Sequence, residues 1–303
     1  MSITYGEIKK WIKEFLVAMR IFSLTLALGA TNIGILAAYR NGSMEDPGSW
    51  RTILLIALIT IAGLASQAGA NMINDFFEGS FKYKSPTTKL YRFIGQDRTV
   101  FDIFVFLSGL AFLGLAALIG IYLIYLTDWK MFLIGIIGII GSYAYTGEPF
   151  VYKTRGLGVI LSFFLMGPLM LLGAYYPFSG ELSWDPIILG LPISLIVPAM
   201  MLSNEMRDFK RDTRLSMGTL STIIGSRASL ILFDILVFGS FLLSILYVIL
   251  KIYPVQSLSI VLALPLAIKA HRLVSKFERL SIPWTNRLHL SYLCILSITL
   301  LFF

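Results

Sequence analysis

Nine apolar stretches, most of them near 20 residues, recur along this chain of 303 residues. They cover residues 16–39, 52–74, 100–126, 129–145, 157–177, 186–205, 228–250, 254–271 and 286–303. A run of about 20 apolar residues crosses the hydrocarbon core of a bilayer as an α-helix. Lipid offers no partner to backbone N–H and C=O groups, so each span has to satisfy its own hydrogen bonds. The expected fold is all-α: a polytopic membrane bundle of about nine transmembrane helices around a central cavity, one domain over residues 1–303. With 57% hydrophobic and 14% charged residues, the chain is far from the balance of a soluble globular domain.

Lys and Arg placement sets the orientation. With the N-terminus in the cytoplasm, 20 of the 25 basic residues fall in inner segments. Arg40, Arg51, Lys130 and Lys251 fall outside, and Arg20 lies within the first span. The net charge of +8 follows from this bias, and the inner loops should favour anionic headgroups of the lipid bilayer rather than nucleic acid. The single cysteine, Cys294, lies in the last span, so neither a disulfide nor a cysteine metal site can form within the chain. Ile8, Trp11, Ile12 and Phe15 share one helical face, with Lys9, Lys10 and Lys13 off it, as in an interfacial helix. The first apolar run is too long for a cleavable signal, and Arg20 interrupts it.

Two acidic clusters stand at inner ends of spans, and each leads into a basic loop. The first is Asn71-Met-Ile-Asn74-Asp75-Phe-Phe-Glu78, and the second Asn204-Glu205-Met-Arg207-Asp208-Phe-Lys-Arg211-Asp212. Carboxylates beside hydrocarbon are expensive, so each cluster is a functional candidate. Asn71 and Asp75, and Asn74 and Glu78, are four apart; Asn204, Asp208 and Asp212 repeat the interval. On a helix such residues stack along one face. Rows of carboxylate and amide oxygens suit a hard cation, and Mg2+ prefers a few protein ligands plus substrate phosphates. The expected ligand is therefore a Mg2+-bound phosphate or diphosphate held between two helix ends. Lys82, Lys84, Lys89 and Arg92 follow the first cluster, while Arg207, Lys210, Arg211 and Arg214 interleave with the second. These cations suit the diphosphate oxygens that metals leave free, and salt bridges within each loop are the plainer reading.

A third inner segment runs from Tyr143 and Tyr145 through Gly147-Glu148-Pro149 and Lys153 to Arg155-Gly-Leu-Gly158. Gly-Glu-Pro breaks the helix and the Gly-rich run opens the next. Arg155 is within reach of the acidic ends, and the two tyrosines can wall a cationic intermediate with their ring faces. Pro168, Pro192, Pro198 and Pro265 lie inside spans, where a kink and a neutral packing role are equally open readings. Asp102, Asp128 and Asp234 read as helix-end or packing residues, and His271 and His289 as structural.

Asp75 and Asp208 are 133 residues apart, and each follows an even-numbered span. Spans one to four and five to eight therefore read as two versions of one four-helix unit, with a ninth span added. The paired motifs resemble the UbiA superfamily of intramembrane aromatic prenyltransferases. Asn71-x-x-Asn74-Asp75-x-x-Glu78 matches its first motif, and Asp208-x-x-x-Asp212 its second. Lys82 stands where the family often has a further Asp. Asn204-Glu-Met-Arg207-Asp208, Arg155-Gly-Leu-Gly158 and Phe163-Phe-Leu-Met-Gly167-Pro168 look most like the 1,4-dihydroxy-2-naphthoate (menaquinone) branch, although Ser216-Met217 replace a Gly-Lys often found there.

The resemblance implies Mg-dependent transfer of a prenyl group from a prenyl diphosphate to a small aromatic acceptor. Asn71, Asp75, Asp208 and Asp212 would hold two Mg2+ ions on the diphosphate, supported by Asn74, Glu78 and Asn204. Arg20, Lys82, Lys84, Lys89, Arg92, Lys153, Arg155, Arg207 and Arg211 would bind substrate. Two other readings remain open at this point: prenylation of geranylgeranylglyceryl phosphate, and an ion-coupled secondary transporter. Oligomeric state is not encoded in any feature of the sequence.

Overall fold

The computed structural model describes residues 5–44, 46–78 and 90–303. The expected all-α bundle is what it contains. α1 (Tyr5–Met19) lies N-terminal to α2 (Leu24–Arg40), α3 (Trp50–Glu78), α4 (Val100–Leu126), α5 (Trp129–Ala144), α6 (Gly158–Phe164) and α7 (Met170–Ser179). Then follow α8 (Asp185–Ser194), α9 (Ile196–Arg214), α10 (Leu220–Ile224), α11 (Ser226–Ile249), α12 (Leu264–Ser275) and α13 (Ser281–Phe302). Eight helical segments among the described residues are long and apolar enough to cross a membrane. The remaining apolar stretch, the fourth in chain order, is α5, a shorter helix of 16 residues.

Several spans are built from more than one helix. Arg20, at φ 52°, separates α1 from α2, so the first span turns at its one basic residue. A π-helical turn at Leu165–Leu169 joins α6 to α7 and contains Pro168. Proline lacks the N–H that an α-helix uses and its ring crowds the preceding turn, which the wider π turn accommodates. α8 ends two residues after Pro192, and α9 starts at Ile196. Pro198 and Pro265 lie just after breaks within their spans, in the first turns of α9 and α12. There the missing N–H would have had no intrahelical partner anyway.

Helix ends use the acidic residues read as caps. Asp102 and Thr99 form a reciprocal capping box on α4, at 3.0 and 3.1 Å. Asp128 caps α5 through Lys130 N–H at 2.8 Å and accepts the Tyr176 hydroxyl at 2.7 Å. His271 Nδ1 lies 2.7 Å from Asp234, tying α12 to α11. Before α4, β1 (Tyr91–Phe93) and β2 (Gln96–Arg98) form an antiparallel hairpin, with Ile94 and Gly95 both at positive φ. Two left-handed residues are what a tight two-residue hairpin turn requires.

The main buried cluster joins α2 and α7–α9 to α11–α13. Small residues let helices approach closely, as membrane interfaces commonly do. A Cβ on Gly34 would sit 2.6 Å from the Leu171 carbonyl oxygen and 2.7 Å from Ala174 Cβ. Gly34→Val is therefore expected to lower stability by about 1–3 kcal/mol through forced separation of α2 and α7. Gly120→Ala is the matched control, because its Cβ meets nothing within 4 Å. Thermal melts of both variants in detergent check this; equal midpoints would refute the packing argument.

Candidate active site

α3 carries the first acidic cluster on its last two turns, and α9 carries the second on its C-terminal half. The loop from Tyr145 to Leu157 lies beside both. Glu78 accepts from Lys153 Nζ and from Arg20 Nη2, the latter at 3.2 Å. Asn74, with its amide oriented to suit its neighbours, donates to Glu78 at 3.3 Å and accepts from Arg20 at 2.9 Å. Asn71 Nδ2 donates to Met19 O and Ser23 Oγ, both at 2.9 Å, and its carbonyl oxygen accepts from Gln67 at 3.4 Å. The strained turn at Arg20 thus places three groups of the first span on the end of α3. Asp75 lies half-buried on the same turn, and Asn204 one turn before Asp208.

On α9, Arg207 grips both oxygens of Asp208, with Nε to Oδ1 at 2.9 Å. Arg211 bridges the two carboxylates, 3.3 Å from Asp208 and 2.8 Å from Asp212. The Asp212 side chain is only 3% exposed. Electrostatic coupling crosses between the clusters: Arg211 acts on Glu78, and Lys153 acts on both Glu205 and Asp212. The Lys153 side chain is 12% exposed, so its charge is poorly screened. A Cβ on Gly158 would lie 3.4 Å from Lys153 Cα and 3.7 Å from Glu205 Oε1, so the loop that carries Lys153 packs against α9.

Not every expected residue joins it. Arg92 pairs with Asp97 at 3.7 Å on the exposed hairpin. Arg155 is exposed, donates to the Pro149 carbonyl at 3.1 Å and pairs through its backbone with Gly218. Tyr143 packs against the Ile73–Phe76–Phe106 cluster, and its hydroxyl donates to Glu148 O at 3.2 Å. Tyr145 stands closer: its ring lies 5.6 Å from Lys153 Nζ, and its edge meets Tyr152 at 5.5 Å. Burial pushes the Tyr152 phenol pKa well above its usual value. Lys82, Lys84 and Lys89 lie outside the described residues.

Two residues of the site escaped the sequence reading. Glu205 is buried and accepts the Ser221 N–H at 2.8 Å, locking the loop after α9 to the helix that carries Asp208. Gln67 orients Asn71 from one turn away. Glu205 stands beside Asn204, but adjacent helical positions face differently, and only burial distinguishes a tether from a ligand. Among the described residues, no three His, Cys, Asp or Glu side chains converge on one point. What the site offers is pairs of carboxylates with amide oxygens. That donor set suits a hard divalent ion completed by substrate oxygens, and Arg211 already places positive charge between Asp208 and Asp212.

Residues 27–290 match the UbiA prenyltransferase family model. The chain belongs to that family. A rat UbiA prenyltransferase domain-containing protein 1 is 31% identical over 238 residues, 76% of this chain and 66% of the rat protein. A 1,4-dihydroxy-2-naphthoate octaprenyltransferase of Bacillus subtilis is 26% identical over 187 residues, 59% of this chain and 58% of that protein. A UbiA homologue of Archaeoglobus fulgidus, solved bound to GPP and Mg2+, has a TM-score of 0.56 and 14% identity, covering 94% of this chain and 99% of that one. That likeness bears on the fold. This UbiA chain is accordingly an integral membrane protein whose family is one of prenyltransferases, as the motifs had suggested.

Proposed function

We propose that this UbiA chain transfers a prenyl group from a prenyl diphosphate to a small aromatic acceptor of the dihydroxynaphthoate kind. The observation that carries the reading is that each acidic motif holds cations of its own, Arg20 and Lys153 on Glu78 and Arg211 on Asp208 and Asp212, while Gly158 brings the Lys153 loop against Glu205 of α9. Such residues offer oxygen ligands for a divalent ion and, beside them, cations for a diphosphate. A transporter site has to open to both membrane faces, and these carboxylates belong to helix ends on one side. The Lys and Arg distribution puts that side in the cytoplasm.

Asn71, Asp75, Asp208 and Asp212 are the residues proposed to hold Mg2+, with Asn74, Glu78 and Asn204 supporting them. Bound Mg2+ neutralises charge on the departing diphosphate. Lys153, Arg20, Arg207 and Arg211 would bind the diphosphate oxygens that the ion leaves free. The C1–O bond breaks and its electron pair leaves with the diphosphate. The allylic cation is sheltered by apolar helix walls and the Tyr145 ring. An acceptor ring carbon attacks C1 to form the new C–C bond, and that carbon then loses its proton, or carbon dioxide in place of the proton where it carries a carboxylate. The acceptor class rests on the branch-like motifs and on the Bacillus relative.

The test is a radiolabelled prenyl diphosphate assay on purified protein, with dihydroxynaphthoate and geranylgeranylglyceryl phosphate offered in parallel. Transfer to dihydroxynaphthoate with Mg2+, lost in EDTA and regained with excess Mg2+, is expected. Transfer to the glycerol phosphate alone would replace the acceptor, and Mg2+-independent binding without transfer would end the reading.

A further inference from the structure

A cavity of about 370 Å³ lies among α2, α3, α4, α5, the π turn and α7. Its inner end includes Gln67, Ser142 and Met166. Gln67 touches Asn71, so the cavity adjoins the first acidic motif. Leu123 and Met131 line its outer end and pack with Tyr176 in one buried cluster. The Tyr176–Asp128 hydrogen bond of 2.7 Å pins that cluster. Apart from Gln67 and a few hydroxyls the lining is apolar. Along α5, Ser142 to Met131 is a rise of about 16 Å; along α3, Gln67 to Ile59 is about 12 Å.

Size sets what such a space can take. A dry apolar cavity of ~150 Å³ holds a six-carbon benzene ring, roughly 25 Å³ per carbon. On that scale 370 Å³ holds roughly 15 carbons, or three isoprene units. One wall is made of glycines. A Cβ on Gly135 meets nothing within 4 Å, and one on Gly138 meets only Leu169 at 4.0 Å. Both glycines line the cavity, so any larger residue there takes up tail volume without displacing backbone.

We propose that this cavity measures the isoprenoid tail, with Gly135 and Gly138 providing its width and Leu123 and Met131 its depth. Three units fill the cavity and the reacting unit lies between Gln67 and the carboxylates, so the preferred diphosphate has about four isoprene units. The proposal rests on the prenyl-transfer reading. The competing geometry is sideways escape of the tail into lipid between α4 and α5, where Ile121, Phe132 and Ile136 are partly exposed.

Geranyl, geranylgeranyl and octaprenyl diphosphates are compared with wild type, Gly138→Phe and Gly135→Leu, by kcat/KM and by ligand-induced thermal shift. Wild type should favour geranylgeranyl over octaprenyl by at least about tenfold, and Gly138→Phe should move the preference to geranyl. Leu123→Ala should move it towards longer chains. Equal use of geranylgeranyl and octaprenyl, or an unmoved preference in both glycine variants, overturns the proposal. If Gly138→Phe does not fold, Gly135→Leu decides. Absence of turnover with every diphosphate would sink the prenyl-transfer reading instead; the thermal-shift ranking would still decide the cavity's role.

Discussion

Asp208→Ala is expected to lower kcat/KM for prenyl transfer by at least about a thousandfold. The carboxylate is the meeting point of Arg207 and Arg211, and one turn further along α9 Arg211 reaches the buried Asp212. Removing it withdraws a proposed ion ligand. It also leaves two guanidinium groups free to collapse onto Asp212 and compete for that ligand as well. Both effects act on the diphosphate as it leaves, so the loss should fall on kcat more than on KM. Steady-state kinetics over a Mg2+ titration provides the measurement. A decrease smaller than tenfold, in a variant that melts like the parent, would remove Asp208 from the ligand set. Asp208→Asn keeps the shape and one oxygen, so excess Mg2+ should restore part of its rate.

Lys153→Met is expected to lower kcat by about a hundredfold and to destabilise the fold by about 1–3 kcal/mol. Lys153 is the cation that pairs with Glu78 on α3 and also acts on Glu205 and Asp212 on α9. Methionine keeps the apolar stem and deletes the charge, leaving Glu78 with Arg20 as its remaining ion pair among the described residues. Lys153→Arg should recover most of the stability and part of the rate. Chemical unfolding in detergent and single-turnover kinetics separate the two effects. A variant that loses stability while keeping its single-turnover rate would show Lys153 to be a strut rather than a phosphate ligand.

The spans and the helical placement of the motifs were legible because each leaves a one-dimensional trace. Twenty apolar residues have one stable form in lipid, and four-residue spacing of Asn71, Asp75, Asn204, Asp208 and Asp212 follows from helical geometry. The partners were less legible. Arg20 was visible as an odd cation in an apolar run, but its pairing with Glu78 depends on the left-handed turn beneath it. Arg92 and Arg155 had the right charge and the right neighbourhood, yet hairpin and loop geometry take them to Asp97 and Pro149. Glu205 looked like one more member of an acidic run, and only its burial against the Ser221 N–H sets it apart. The prolines marked departures from regular helix without saying which kind: Pro168 lies in a π turn, and Pro198 and Pro265 lie in first turns.

The π turn at Leu165–Leu169 has a consequence for how the chain can change length. An α-helix advances about 100° per residue, so deleting one residue there would rotate the whole of α7 by that angle about its axis. Leu171, Ala174 and Tyr175, buried in the bundle, would swing away from their present neighbours. Leu171 O and Ala174 would no longer meet Gly34. A loop remote from the acidic motifs, such as the one between α7 and α8, can gain or lose a residue with little harm, whereas this segment behaves like the tooth count of a gear.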